Sequence, residues 1–123
     1  MEGPIISKPL TRNELENDKD LNVYDSMNSL KPAEKPEVIR SSVLDLTAAF
    51  RETPYDINSG HCEEFAFKLA EQLPGCFVIG TDWESSAPGH FWIFASGRHY
   101  DAEIPDGTDD WRNLPIMKRH FRK

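Results

Sequence analysis

The chain has 123 residues, 38% hydrophobic and 28% charged, which suits one domain with a modest core. Its 14 Lys and Arg against 21 Asp and Glu leave a net charge of −7, which argues against a general nucleic-acid binder, because such a surface needs cations to displace counterions from phosphate. No apolar run of about 18 residues exists to cross a bilayer, and two cysteines, Cys62 and Cys76, are too few for a disulfide scaffold or a four-cysteine zinc site.

Residues 1–36 carry Pro4, Pro9, Pro32 and Pro36 among polar filler. They read as an extended or loosely structured arm, with residues 37–123 as a single domain. Within the arm, Leu21, Val23, Tyr24, Met27 and Leu30 form a short apolar patch able to dock as a helical turn or two. The opening MEGPIISKPL lacks the basic start and apolar stretch of a secretion signal, so a cytoplasmic location is expected.

The body opens with a helix. Ile39, Val43, Leu46 and Phe50 share one face of a 3.6-residue repeat, with Pro36 at its start and Pro54 beyond its end. Turn-forming residues fill 53–60, and a second helix is predicted from His61 to Leu73, before Pro74-Gly75. Its apolar stripe is Cys62, Phe65, Ala66, Leu69, Ala70 and Leu73, and Glu63 and Glu64 lie in its first turn, where the helix dipole favours anions.

Three strands are predicted next, over 76–80, 90–95 and 98–104, the last two joined by a Ser96-Gly97 hairpin turn. Trp111, Leu114, Ile116 and Met117 then read as packing anchors, and residues 118–123 as a solvated basic tail. Cys76 reads as core. The order of elements predicts an α+β domain with an antiparallel sheet.

Cys62 stands out because a thiol in the first turn of a helix feels unpaired backbone N–H groups and the positive dipole end, which favour thiolate. The same amides are candidates to hold a developing oxyanion, and Gly60 permits close approach of a substrate backbone. A two-residue turn at Ser96-Gly97 pairs Phe94 with His99, Trp92 with Asp101 and His90 with Glu103. His90, Trp92, Asp101 and Glu103 then share a face, with Asp101 diagonal to His90 and Glu103 directly opposite. Either carboxylate is placed to orient the imidazole. A zinc set of His61, Cys62, His90 and His99 matches no metal-ligand spacing, so no metal and no cofactor is expected.

Cysteine opening a helix, histidine opening a strand and a carboxylate after the next turn supply a nucleophile, its base and an orienting group. The segments SGHCEEFA at 59–66, GHFWI at 89–93 and YDAE at 100–103 resemble the papain-like superfamily, most closely its transglutaminase-like branch. The resemblance covers roughly residues 39–104. It implies a papain-like core of helices packed on a small antiparallel sheet, with Cys62 as nucleophile, His90 as general base and Asp101 as orienting carboxylate. Papain-type enzymes complete the oxyanion hole with a glutamine upstream of the cysteine, and here Asn58 or the Cys62 amide stands in that place. The expected function is a thiol enzyme acting on an amide or ester of a protein or peptide through an acyl-enzyme, with water or an amine resolving it. The alternative is an inactive acidic module that docks a protein partner. No nucleic acid or membrane is expected as partner, and the oligomeric state is open.

Overall fold

The computed structural model describes residues 15–26, 28–82 and 88–121. In chain order they form β1 (Asn22–Asp25), α1 (Pro36–Phe50), α2 (Pro54–Gly60), α3 (Cys62–Gln72), β2 (Phe77–Thr81), β3 (His90–Ala95), β4 (Arg98–Tyr100), a 3-10 turn (Trp111–Asn113) and α4 (Pro115–Phe121). The fold is α+β, with one antiparallel sheet in the order β1-β2-β3-β4.

Helix α1 buries Ile39, Val43 and Leu46 and stops where Arg51 enters the left-handed region at φ 58°. Helix α2 replaces the predicted turn. Pro54 takes its first position and Thr53 Oγ1 accepts the Asp56 N–H at 3.1 Å, a cap-and-proline start that outweighs the turn-forming composition. His61 then breaks the helical run. Its N–H reaches Ile57 O at 2.7 Å and its C=O accepts from Phe65 N at 3.0 Å, so α3 starts abruptly at Cys62.

Both sheet faces are covered, which explains why β2 reads as an unbroken apolar run. On one face Val78, Ile93 and Ala95 pack with Ile39, Val43, Phe65 and Leu69 from α1 and α3. On the other, Ile79, Trp92 and Phe94 pack with Leu15, Leu21, Trp111, Leu114 and Met117. Met117 therefore anchors α4, and residues 118–121 continue that helix with Lys118, Arg119 and Phe121 exposed.

The expected arm also needs correction. Its residues 22–25 are the edge strand β1, paired with Phe77–Gly80, and Leu15 and Leu21 are buried. Ser29 Oγ donates to Cys76 O at 2.5 Å and Gly75 N–H to Asn28 O at 2.8 Å. Val23 and Tyr24 of the apolar patch thus dock within a strand, because β2 offers an open edge that four extended residues can satisfy, while Leu30 is left exposed. Residues 1–14 and Met27 of that patch lie outside the described residues.

The hairpin has the predicted register, with Ala95 opposite Arg98 and Phe94 opposite His99. Ser96 and Gly97 both have positive φ, 53° and 79°, the signature of a turn whose twist matches its strands. The ladder ends at Tyr100, however, not at residue 104. Thr108 folds back to exchange both backbone bonds with His99, at 2.7 and 2.9 Å, while Asp101–Ile104 turn away, closed by Ile104 N–H to Asp101 O at 3.1 Å. Pro105 and Gly107 impose this return. Gly107 sits at φ 75° with its α-carbon against the Tyr100 ring, where no β-carbon fits.

Candidate active site

The predicted site residues come from three elements and one turn. Cys62 opens α3 and is partly exposed. His90 opens β3 opposite Thr81 of β2. That threonine fixes the strand end, since its Oγ1 accepts the His90 N–H at 3.1 Å and donates to Pro88 O at 2.6 Å. Asp101 follows β4 directly.

His90 Nε2 lies 3.0 Å from Asp101 Oδ2, and both side chains are essentially excluded from solvent. Asp101 Oδ1 accepts the Glu103 N–H at 2.9 Å, so both carboxylate oxygens are engaged. A carboxylate accepts only, so Nε2 carries the proton that it shares with Asp101. Nδ1 is left as the second, basic nitrogen. It is buried without a closed hydrogen bond among the described residues, and it is the ring atom available to the Cys62 thiol. Trp92 stacks on the imidazole with centroids 5.7 Å apart, and Trp111 stacks on Trp92 at 5.9 Å.

Charge balance follows from this packing. Burial alone raises the Cys62 thiol pKa, but its interaction with His90 and with the backbone N–H groups of Phe91 and Glu63 outweighs burial and lowers it. For His90, burial acts downward while Asp101 and Cys62 act upward and prevail, raising the pKa to about 9. The two groups titrate as a coupled pair, and the shifts favour thiolate beside imidazolium. Cys76 is the contrast. It is buried and without such partners, and its thiol is pushed up to about 12.

Glu103 does not oppose His90. The turn after Tyr100 swings it away, and its carboxylate accepts Asn58 Nδ2 at 2.9 Å and two Arg119 guanidinium bonds at 3.0 and 2.9 Å. Asn58 thereby points its amide at Glu103. Trp92 is 1% exposed, so it supports the His90 ring from behind and offers no surface to a substrate. Gly60 remains beside Cys62, exposed and with open space around it. Together with Glu63, Tyr24, Gly80 and Phe91 these residues line a groove of about 450 Å³ that contains Cys62.

Among the described residues, no three His, Cys, Asp or Glu side chains converge as a metal site, and no helix is long and apolar enough to cross a membrane. Sequence reasoning missed Thr81, Arg119 and the groove residues Tyr24 and Gly80. Their roles depend on strand pairing and on α4 folding back, which no local pattern carries. Trp83, which the sequence reads as core or cleft wall, falls outside the described residues. Compared with protein-family models, curated proteins and solved structures, the chain matches none.

Proposed function

We propose that the protein is a thiol-dependent enzyme that cleaves or transfers the acyl group of an amide or ester, with a core of the papain-like, transglutaminase-like kind. The observation that carries this reading is the buried His90–Asp101 pair, whose remaining ring nitrogen serves a thiol already shifted toward thiolate. A structural cysteine gains nothing from such a partner, whereas a nucleophile requires one.

In the proposed reaction Cys62 Sγ, as thiolate, attacks the substrate carbonyl carbon and forms a C–S bond. Backbone N–H groups at the start of α3 stabilise the oxyanion. Protonated Nδ1 of His90 then delivers its proton to the leaving nitrogen or oxygen as the C–N or C–O bond breaks. The neutral imidazole next removes a proton from water or an incoming amine, which attacks the thioester and releases the thiolate. Asp101 holds the ring in one orientation throughout and stabilises its charged form. A protein or peptide is the proposed substrate, since the groove is open and has aromatic walls.

The test is the second-order rate of alkylation by iodoacetamide near neutral pH. Cys62 should react at least about tenfold faster than an unstructured cysteine peptide, which carries little thiolate at that pH because an ordinary thiol titrates near about 8.5. His90→Ala should abolish that excess. Equal rates in protein and peptide would overturn the reading.

A further inference from the structure

We propose that the groove beside Cys62 selects acyl donors that carry a lysine or arginine side chain. The proposal rests on Cys62 being the nucleophile and adds the substrate class.

The groove lies between the start of α3 and the sheet face that α3 covers. Tyr24 and Phe91 form its aromatic wall, with ring centroids 6.1 Å apart. Gly80 lies under both rings. A β-carbon there would stand 3.0 Å from the Phe91 ring and 3.4 Å from Tyr24, so the missing side chain lets the rings settle on the backbone and leaves the space above them open. The charged residues lining the groove, among those described, are Glu63 and Asp82, with no Lys or Arg.

This pairing of surfaces discriminates. An acidic side chain meets like charge. A short or purely apolar one covers the rings but takes water away from Glu63 without compensation. A long basic side chain lays its methylenes along Tyr24 and Phe91, keeps its head at the carboxylate and gains a cation–π contact. The groove suits a donor better than an attacking amine. An amine must lose its proton before it attacks the thioester, and a carboxylate-lined groove holds it as ammonium.

Three peptidyl chloromethyl ketones that differ only in a terminal lysine, norleucine or glutamate residue test this on the full chain, with iodoacetamide as a side-chain-independent reference. Lysine should alkylate Cys62 about tenfold faster than norleucine, the combined effect of one cation–π contact and one exposed carboxylate, and glutamate should be slowest. Glu63→Gln, an exposed and conservative change, should reduce the lysine-to-norleucine preference to about threefold or less, each rate being taken relative to iodoacetamide on the same variant. Fast iodoacetamide labelling without a lysine preference overturns this inference and spares the enzyme reading. A lysine preference that survives Glu63→Gln overturns the assignment to this groove. Slow labelling by every reagent removes both proposals.

Discussion

Arg119 grips Glu103 through two N–H···O bonds, 3.0 and 2.9 Å long, and so ties α4 to the turn that carries Asp101. The same carboxylate holds Asn58 of α2, and the Glu103 backbone N–H donates to Asp101. One glutamate thus joins two helices to the residue that orients His90. Arg119 also lies over the Tyr55 ring at 4.8 Å.

Arg119→Ala should lower the urea midpoint by the equivalent of about 1 kcal/mol, a modest figure because the pair is partly solvated. Amide exchange along α4 should rise as well. An unchanged midpoint together with unchanged exchange would show that the packing of Met117 and Leu114 holds α4 without the latch.

Asp101 should matter for charge more than for shape. Asp101→Asn keeps a hydrogen-bonding group near Nε2 but removes the negative charge that helps to raise the His90 pKa. With less imidazolium character beside it, the Cys62 thiol pKa rises, and iodoacetamide labelling near neutral pH should slow by at least about tenfold, the effect of one pH unit in thiolate fraction. At high pH, where any thiol is ionised, the variant and wild-type rates should converge. A uniform slowing across pH would assign Asp101 to placement of the ring alone.

His99 should make the fold sensitive to acid. It is buried, accepts the Trp92 Nε1–H at 2.8 Å on Nδ1, and has its pKa lowered to about 4, with burial as the first cause. Its unfolded value is near 6.5, so below that pH the unfolded chain takes up a proton that the folded one refuses. Stability from this residue is therefore complete above about 6.5 and declines as pH falls toward about 4, by on the order of 3 kcal/mol. His99→Asn retains an acceptor for Trp92 and removes the titration. Its urea midpoint should fall less steeply over that window than the wild type's, and parallel curves would exclude His99 as the source.

The hairpin turn has room for improvement. Ser96 holds φ 53° without being glycine, a conformation that asparagine tolerates better. Ser96→Asn should raise the urea midpoint by the equivalent of about 0.5 kcal/mol, leaving Cys62 labelling unchanged. A lower midpoint would show that the serine side chain has a stabilising role of its own.

Much of the site was legible because its members sit at the ends of strongly patterned elements. The stripe of Ile39, Val43 and Leu46 fixes α1, the Leu69 and Ala70 face fixes α3, and Ser96-Gly97 fixes the hairpin register that brings His90 near Asp101. The choice between Asp101 and Glu103 was not legible. It depends on where β4 stops, and that is decided by Thr108 returning to His99 rather than by anything within residues 98–104. β1 was hidden for a similar reason, since Asn22–Asp25 is too short for alternation to declare itself and becomes a strand only beside β2. The supporting stack of Trp111 on Trp92 is likewise a tertiary pairing, for the sequence reads Trp111 as a packing anchor and Trp92 as sharing the face of His90.

The bond from Trp111 Nε1 to Asp18 Oδ2, 3.3 Å long, spans 93 positions. Leu15 and Leu21 meet Leu114 and Met117 on the same sheet face. This cluster, the smaller of the two, therefore forms only when distant stretches of chain find each other, which is a slow and entropically costly closure. During synthesis, α1 and α3 can nest as soon as both have emerged, while His90 and Trp92 stay uncovered until residues 111–117 arrive. Cys62 is made before His90 is held in place, so under the proposed function fast iodoacetamide labelling should be acquired late.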